Sequence, residues 1–166
     1  MADQFAVHAL DLSSDRSSFE SSVAPLDRYF RTQVSQDIKR RVTACFVATD
    51  RHGQIAGYYT LASASVLLAD LPEALVKKLP RYPSMPAVRM GRLAVDQAFK
   101  GKGLGAALLA DALRRVVMSE IAAYAFIVDA KDGDAASFYA HHGFIALTDQ
   151  PLHMFIALAT VKDLIK

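Results

Sequence analysis

Cysteine is nearly absent from this 166-residue chain: Cys45 stands alone, so no disulfide can form within the protein. It lies in the apolar stretch ACFVAT, where a buried thiol is expected rather than a nucleophile. No apolar run approaches the roughly 18 residues that a membrane-spanning helix needs. The first residues also lack a basic stretch ahead of an apolar block, so no signal peptide is expected. Together these features predict a reduced, cytoplasmic protein without a membrane partner.

The chain also lacks a large excess of either charge, because its formal net charge is only +2. That balance alone does not indicate a nucleic-acid-binding protein. The basic residues are nevertheless clustered, at 39–41, 77–81, 89–92, 100–102 and 114–115. A basic face of this kind can steer a polyanion, and it can equally be ordinary solvated surface with ion pairs. The charge pattern leaves both interpretations open.

Length and composition suit one folded domain spanning residues 1–166, since 52% of the residues are hydrophobic. Hydrophobic periodicity predicts a mixed α/β fold with the element order α-α-β-β-α-β-α-β-α-β-β. Residues 14–41 are predicted to form two helices divided at Pro25. A β-hairpin is predicted from 42–49 and 54–68, and an amphipathic helix from 103–120. Asp134 is the predicted N-cap of a later helix that ends at Gly143.

A glycine-rich loop is the most informative stretch. Gly101, Gly103 and Gly105 alternate with Lys102 and Leu104 at the start of the predicted helix. A helix N-terminus offers free N–H groups and a partial positive charge, and glycines let the backbone approach phosphate oxygens closely. The pattern favours a phosphate-binding loop, with a flexible turn as the alternative.

Two common phosphate motifs fit this loop poorly. The P-loop pattern is absent. The spacing Gly101-x-Gly103-x-x-Ala106 nominally fits a dinucleotide fingerprint, but QAFK separates it from the preceding strand. The next strand-ending acidic residue, Asp129, also lies well beyond the expected ~20 residues, and too little chain follows for further parallel repeats.

The loop sequence Lys100-Gly101-Lys102-Gly103-Leu104-Gly105, after the strand RLAVD and ahead of FYAHHGF, resembles the acetyl-CoA site of the GNAT N-acetyltransferases. That family reads Arg/Gln-x-x-Gly-x-Gly/Ala here, so Lys100 is a departure that keeps the charge and loses the planar fork. The resemblance implies a GNAT fold: a mixed central sheet flanked by helices, with splayed strands that form the acetyl-CoA cleft. It implies acetyl-CoA as co-substrate and no metal. The implied cofactor-binding residues are Leu93, Ala94, Val95, Lys100, Gly101, Lys102, Gly103, Leu104, Gly105, Ala106 and Ser137.

Four further stretches, LDRYFRTQVSQDIKRR, GYYTLASASVLLADLP, LPRYPSMPAVRMGRLAVD and SFYAHHGF, are similar to the GNAT toxins of bacterial toxin–antitoxin pairs. This resemblance implies acetylation of the α-amino group of aminoacyl-tRNA, a ribbon-helix-helix antitoxin as partner, and a homodimer. The subfamily's early Phe-Asp-Cys-Gly is replaced by Phe19-Glu20-Ser21-Ser22. Two alternatives stay open: a GNAT enzyme acting on a small-molecule amine or a protein N-terminus, and a non-catalytic acyl-CoA sensor.

Acetyl transfer needs a proton donor for the departing thiolate. Tyr139 stands where the family has its catalytic tyrosine, and a phenol is a suitable general acid; a core tyrosine packed beside Phe138 is the alternative. No general base is evident, because the only glutamates are Glu20, Glu73 and Glu120. The α-amine of an aminoacyl ester is partly neutral at pH 7, so a dedicated base is not required and a water can serve.

Candidate acceptor contacts are basic. Arg81, Arg89, Arg92, Lys39 and Arg40 are predicted to bind the RNA acceptor or the CoA phosphates, with plain solvent exposure as the alternative for each. The adjacent His141 and His142 point about 100° apart on a helix, which favours one surface and one packed histidine over a metal site.

Overall fold

A seven-stranded sheet with the strand order β1-β2-β3-β4-β5-β7-β6 organises the computed structural model, which describes residues 4–164. The strands are β1 (Ala6–Ala9), β2 (Ala44–Thr49), β3 (Ile55–Leu67), β4 (Ser84–Val95), β5 (Ala125–Asp129), β6 (Ile145–Leu147) and β7 (Gln150–Ala157). The helices are α1 (Ala24–Thr32), α2 (Val34–Lys39), α3 (Glu73–Val76), α4 (Leu104–Val117), α5 (Gly133–His141) and α6 (Leu158–Leu164). No helix in this described range is long and apolar enough to cross a membrane. The sheet combines parallel and antiparallel pairs, as the predicted fold class requires.

Two units divide the chain: residues up to Ala62 with Gly91–Ala112 form the first, and Ser63–Met90 with the residues from Leu113 onward form the second. In the first unit, β1, β2 and the start of β3 pair in antiparallel fashion. Its core is aromatic, because Phe30 stacks on Tyr58 with ring centroids 4.3 Å apart. Burial of such large rings is a major source of stability for a small unit.

The second unit contains the parallel pairing of the sheet. Residues Ala87–Met90 of β4 pair with Ala125–Val128 of β5, and β5 pairs in antiparallel fashion with β7.

The predicted hairpin of residues 42–49 and 54–68 is confirmed as β2 and β3. The helix predicted from 103–120 is present as α4, which spans the shorter range Leu104–Val117. The helical prediction for residues 14–41 is wrong at its start, since α1 begins only at Ala24. Before it, Asp15 accepts hydrogen bonds from the Ser17 amide and hydroxyl, a local turn that competes with helix formation. Pro25 lies in the first turn of α1, and the two helices are instead separated at Gln33.

Three smaller differences concern single elements. β1 and α6 carry no periodicity long enough to predict them. The N-cap of α5 is Asp132 rather than Asp134, because the Asp132 carboxylate accepts a hydrogen bond from the Ala135 amide at 2.9 Å. Gly143 ends α5 as predicted, with a φ of +94°. The single-domain organisation of residues 1–166 stays a prediction.

Candidate active site

The glycine loop connects β4 to α4 in the first unit. Gly101 and Gly103 have φ values of +80° and +76°, a left-handed conformation that side chains rarely adopt. Apart from the adjacent residues of the chain, no heavy atom lies within 4 Å of the position that a Cβ would take at either glycine, so the space there is open. The Gly103 carbonyl accepts the hydrogen bond of the Ala107 amide. The amides before Ala107 are the first N–H groups of α4, and such groups have no partner within their own helix and favour an anion.

A buried carboxylate holds this loop in place. Asp96 is only 8% exposed and accepts hydrogen bonds from the Ala98 amide at 2.9 Å and the Glu20 amide at 3.0 Å. The Lys100 ammonium donates to the Ser21 carbonyl, whereas the Lys102 ammonium lies 5.6 Å from the centre of the Phe99 ring. Lys100 therefore anchors the loop, and Lys102 carries the more available charge.

The segment Phe19-Glu20-Ser21-Ser22 combines an unusual backbone conformation with a buried hydrogen bond. Ser22 adopts a φ of +78°, in the left-handed region that favours glycine. A non-glycine residue in this region costs of the order of 1–2 kcal/mol. Ser21 beside it is buried, and its hydroxyl donates to the Asp27 carboxylate at 2.6 Å. The substitution is thus accommodated by a strained backbone fixed through a buried hydrogen bond.

The end of β4 presents the predicted pantetheine-binding residues. The Ala94 side chain is buried in the core of the first unit, and those of Leu93 and Val95 are half-buried. The backbone of this segment packs closely against Gly57, because the Ala94 carbonyl oxygen lies only 2.9 Å from the position that a Cβ on Gly57 would take. The position of this backbone is therefore fixed by core packing.

Tyr139 lies on α5, in the second unit. Its ring is 7% exposed and lies against Phe138 and Phe144, with centroids 5.3 Å and 5.6 Å away. Burial, aided by the charge of Asp129, raises the pKa of Tyr139 to about 12. The phenol is therefore protonated at neutral pH and can donate a proton but not accept one. Ser137, on the same helix, is exposed.

The five predicted basic contacts fall into three groups. Arg89 is ion-paired with Asp129 at 2.6 Å in the second unit. Arg92, in the first unit, stacks on Tyr29 with its guanidinium carbon 3.4 Å from the ring centre. The remaining three are exposed at the surface; these are Arg81 before β4, and Lys39 and Arg40 at the end of α2.

Sequence reasoning missed one cluster. The two Asp129 oxygens bind Arg89 and, at 2.7 Å, His153 Nδ1. In the sequence, Asp129 is a candidate only for a dinucleotide site, and His153 stands in no motif. Only the register of β5 and β7 brings the two residues together, because it pairs Asp129 with His153. In the described part of the chain, no group of three or more His, Cys, Asp or Glu residues has the arrangement of a metal site.

Comparison with known proteins gives the class of this protein. The sequence profile of the acetyltransferase (GNAT) domain matches residues 17–155. The chain belongs to the GNAT acetyltransferase family, and it is an acetyl-CoA-dependent enzyme by that membership.

Its relatives narrow the class. The chain is 34% identical to a tRNA-acetylating toxin of Mycobacterium tuberculosis, over 99% of both proteins. A solved structure of AtaT complexed with acetyl-methionyl-tRNAfMet is 26% identical and covers 98% of this chain and 99% of that one, with a TM-score of 0.89. A structure of AtaTR bound with acetyl-CoA is 26% identical over 99% of each chain, with a TM-score of 0.85.

Proposed function

We propose that this acetyltransferase, as a single GNAT domain, transfers the acetyl group of acetyl-CoA to the α-amino group of aminoacyl-tRNA. The observation that carries the acceptor class is the full-length similarity to a tRNA-acetylating toxin. In this proposal the enzyme acts in the cytoplasm as the toxin of a toxin–antitoxin pair. Its partners are a ribbon-helix-helix antitoxin and a second copy of the same chain in a homodimer.

The glycine loop is the proposed pyrophosphate site. The left-handed backbone at Gly101 and Gly103 is open to a ligand, and the first N–H groups of α4 at Leu104, Gly105 and Ala106 supply hydrogen bonds. The Lys102 ammonium adds positive charge, while Lys100 holds the loop through the Ser21 carbonyl. Lys100, which stands where the family has arginine or glutamine, therefore positions the loop.

The end of β4 is the proposed site for the pantetheine arm. Backbone groups of Leu93, Ala94 and Val95 would bind the arm, with the Val95 N–H directed at the thioester oxygen. A backbone donor fixed by core packing stabilises the developing oxyanion without reorganisation. Ser137 is the proposed side-chain contact to the same arm.

Tyr139 is the proposed general acid. Attack of the amine on the thioester carbonyl forms the C–N bond, and collapse of the intermediate breaks the C–S bond. The thiolate that leaves needs a proton, and the phenol of Tyr139 is protonated at every physiological pH. Its buried ring fixes the direction of the hydroxyl, because Phe138 and Phe144 restrict the ring.

The basic residues are the proposed RNA contacts. Lys39 and Arg40 at the end of α2, together with Arg81, are exposed and available to phosphates. Arg92 stacks on Tyr29, and Arg89 forms an ion pair with Asp129. These contacts orient the two guanidinium groups before the RNA binds.

The test is transfer of labelled acetyl from acetyl-CoA to a pool of charged bacterial tRNA. Wild type is compared with Tyr139→Phe, which keeps the ring packing and removes only the hydroxyl. Uncharged tRNA and a panel of small amines serve as control acceptors. We expect label on charged tRNA only, and a loss of about 10² to 10⁴ in rate for the variant. Binding of acetyl-CoA by Tyr139→Phe should stay near that of wild type.

Other outcomes would redirect the proposal. Label on small amines alone would keep the enzyme class and refute the tRNA acceptor. Full activity of Tyr139→Phe would remove the general acid role from this residue. Tight acetyl-CoA binding without transfer to any acceptor would favour an acyl-CoA sensor.

A further inference from the structure

A polar cluster in the second unit contains two residues, Asp129 and His153, that have no role in the mechanism above. Asp129, the last residue of β5, joins Arg89 of β4 to His153 of β7. Cross-strand pairing of Asp129 with His153 places both side chains on one face of the sheet. The three side chains are 35–50% exposed, so the cluster is reachable from solvent.

The Asp129 carboxylate orients the histidine, because one of its oxygens lies 2.7 Å from His153 Nδ1. In the tautomer with its proton on Nδ1, the ring donates a hydrogen bond to this oxygen. In the neutral imidazole, Nε2 then has a free lone pair. Arg89 donates a hydrogen bond to the second Asp129 oxygen at 2.6 Å, so each oxygen of this carboxylate has one partner in the cluster.

A cavity of about 190 Å³ adjoins this histidine. Ile127 and Leu147 give it an apolar part, and Gln150 and Asp70 add polar groups. Such a mixture suits an aminoacyl group. Its side chain can contact the apolar part of the cavity, and its ammonium group is attracted by a carboxylate. The Asp70 carboxylate and the His153 ring line the same space.

The cluster and the candidate acid belong to the same unit. Phe126 of β5 contacts Phe144, which in turn contacts Tyr139, so α5 covers the face of the sheet opposite His153. Asp129 nevertheless raises the pKa of the Tyr139 phenol, second to burial. The phenol and the imidazole therefore approach the C-terminal end of β5 from opposite faces.

We propose that His153, oriented by Asp129, accepts the proton that the acceptor α-ammonium group must lose before it attacks the thioester, and that the cavity beside it receives the aminoacyl group. This inference rests on the proposed function. The ammonium loses two protons in the whole reaction. His153 Nε2 takes the first and releases it to solvent. Tyr139 protonates the sulfur as the C–S bond breaks, and the phenolate is reprotonated by the second amine proton through water.

Other ionisable groups near His153 define the alternatives. Asp129 contacts His153, and Arg89 and Asp70 line the same cavity. The helices packed against β7 carry Tyr139, Asp134 and His141 on α5 and Lys162 on α6, whereas β6 carries no ionisable side chain. Asp70 is the one carboxylate lining the cavity, so it is the rival proton acceptor. Asp129 is a positioning residue in this scheme.

The test is the pH dependence of kcat/KM for charged tRNA, from about pH 6 to about pH 9, in wild type and His153→Gln. His52→Gln, an exposed turn residue of the first unit, is the matched control. We expect His153→Gln to be about 10²-fold slower at the acidic end. The deficit should shrink to less than about 10-fold at the alkaline end, where free amine is abundant without a base. Asp129→Asn should show a smaller deficit with the same pH trend.

Several results would overturn the inference. They are an equal loss at every pH, no loss for His153→Gln, or a larger acid-side loss for Asp70→Asn than for His153→Gln. Melting temperature and acetyl-CoA affinity of each variant exclude a folding defect. If wild type acetylates only small amines, the same profile on such an amine tests His153 while the tRNA proposal fails. If wild type acetylates nothing, both proposals fall.

Discussion

Replacement of Gly57 by alanine tests whether core packing positions the acetyl-CoA site. Gly57 lies inside β3, and a Cβ there would meet Leu108 Cδ1 at 2.8 Å and the Ala94 carbonyl oxygen at 2.9 Å. The leucine methyl can rotate away, but the carbonyl belongs to the backbone of β4. Overpacking of this kind costs about 1–3 kcal/mol. At about 2–4 °C per kcal/mol for a protein of this size, the melting temperature should fall by about 2–12 °C.

The same change should weaken acetyl-CoA binding. Relief of the Ala94 contact moves the backbone of Leu93–Val95, which is the proposed pantetheine site. Thermal unfolding followed by circular dichroism, with and without acetyl-CoA, measures the stability, and calorimetric titration measures the affinity. Gly133→Ala is the control, since nothing lies within 4 Å of its Cβ position. A Gly57→Ala protein that melts and binds acetyl-CoA like wild type would refute the reasoning.

Further predictions concern the thiol, the phenol and the basic surface. Cys45 is 3% exposed and burial raises its pKa to about 12, so a thiol reagent should label it at neutral pH only after denaturation; rapid labelling of native protein would contradict this. Burial raises the pKa of Tyr139 to about 12, so the protonated phenol stabilises the folded protein below about pH 10. This contribution to the free energy of unfolding should be lost as the pH rises to about 12, and Tyr139→Phe should lack that loss in alkaline unfolding curves. Lys39→Gln and Arg40→Gln should each lower the salt slope of tRNA binding by about 0.7–1; an unchanged slope would place these side chains away from the RNA.

Local patterns in the sequence predict much of this fold. Alternation of β-branched and aromatic residues defines β2 and β3, and the spacing of Leu104, Leu108 and Ala112 defines the buried face of α4. The glycine loop is predictable for the same reason, because left-handed backbone at Gly101 and Gly103 favours one residue type. These features depend on neighbours within a few positions along the chain.

Features that depend on distant pairing escape this reasoning. The contact of Asp129 with Arg89 and His153 requires the registers of two strand pairs, which no local pattern encodes. The Ser21 and Asp96 contacts that hold the loop likewise join residues far apart in sequence. Even a local error, the helix predicted from residue 14, has a physical origin, because short polar side chains there form turns instead.

The two units are interleaved along the chain, and this limits how the protein can be dissected. The chain passes from one unit to the other at residues 62–63, 90–91 and 112–113, which lie inside β3, β4 and α4. Every boundary therefore cuts through a regular element rather than a loop. Neither unit can be produced by shortening the gene from either end, and each would have to be assembled from separate fragments. Studies of the glycine loop or of Tyr139 in isolation thus require point substitutions within the whole chain.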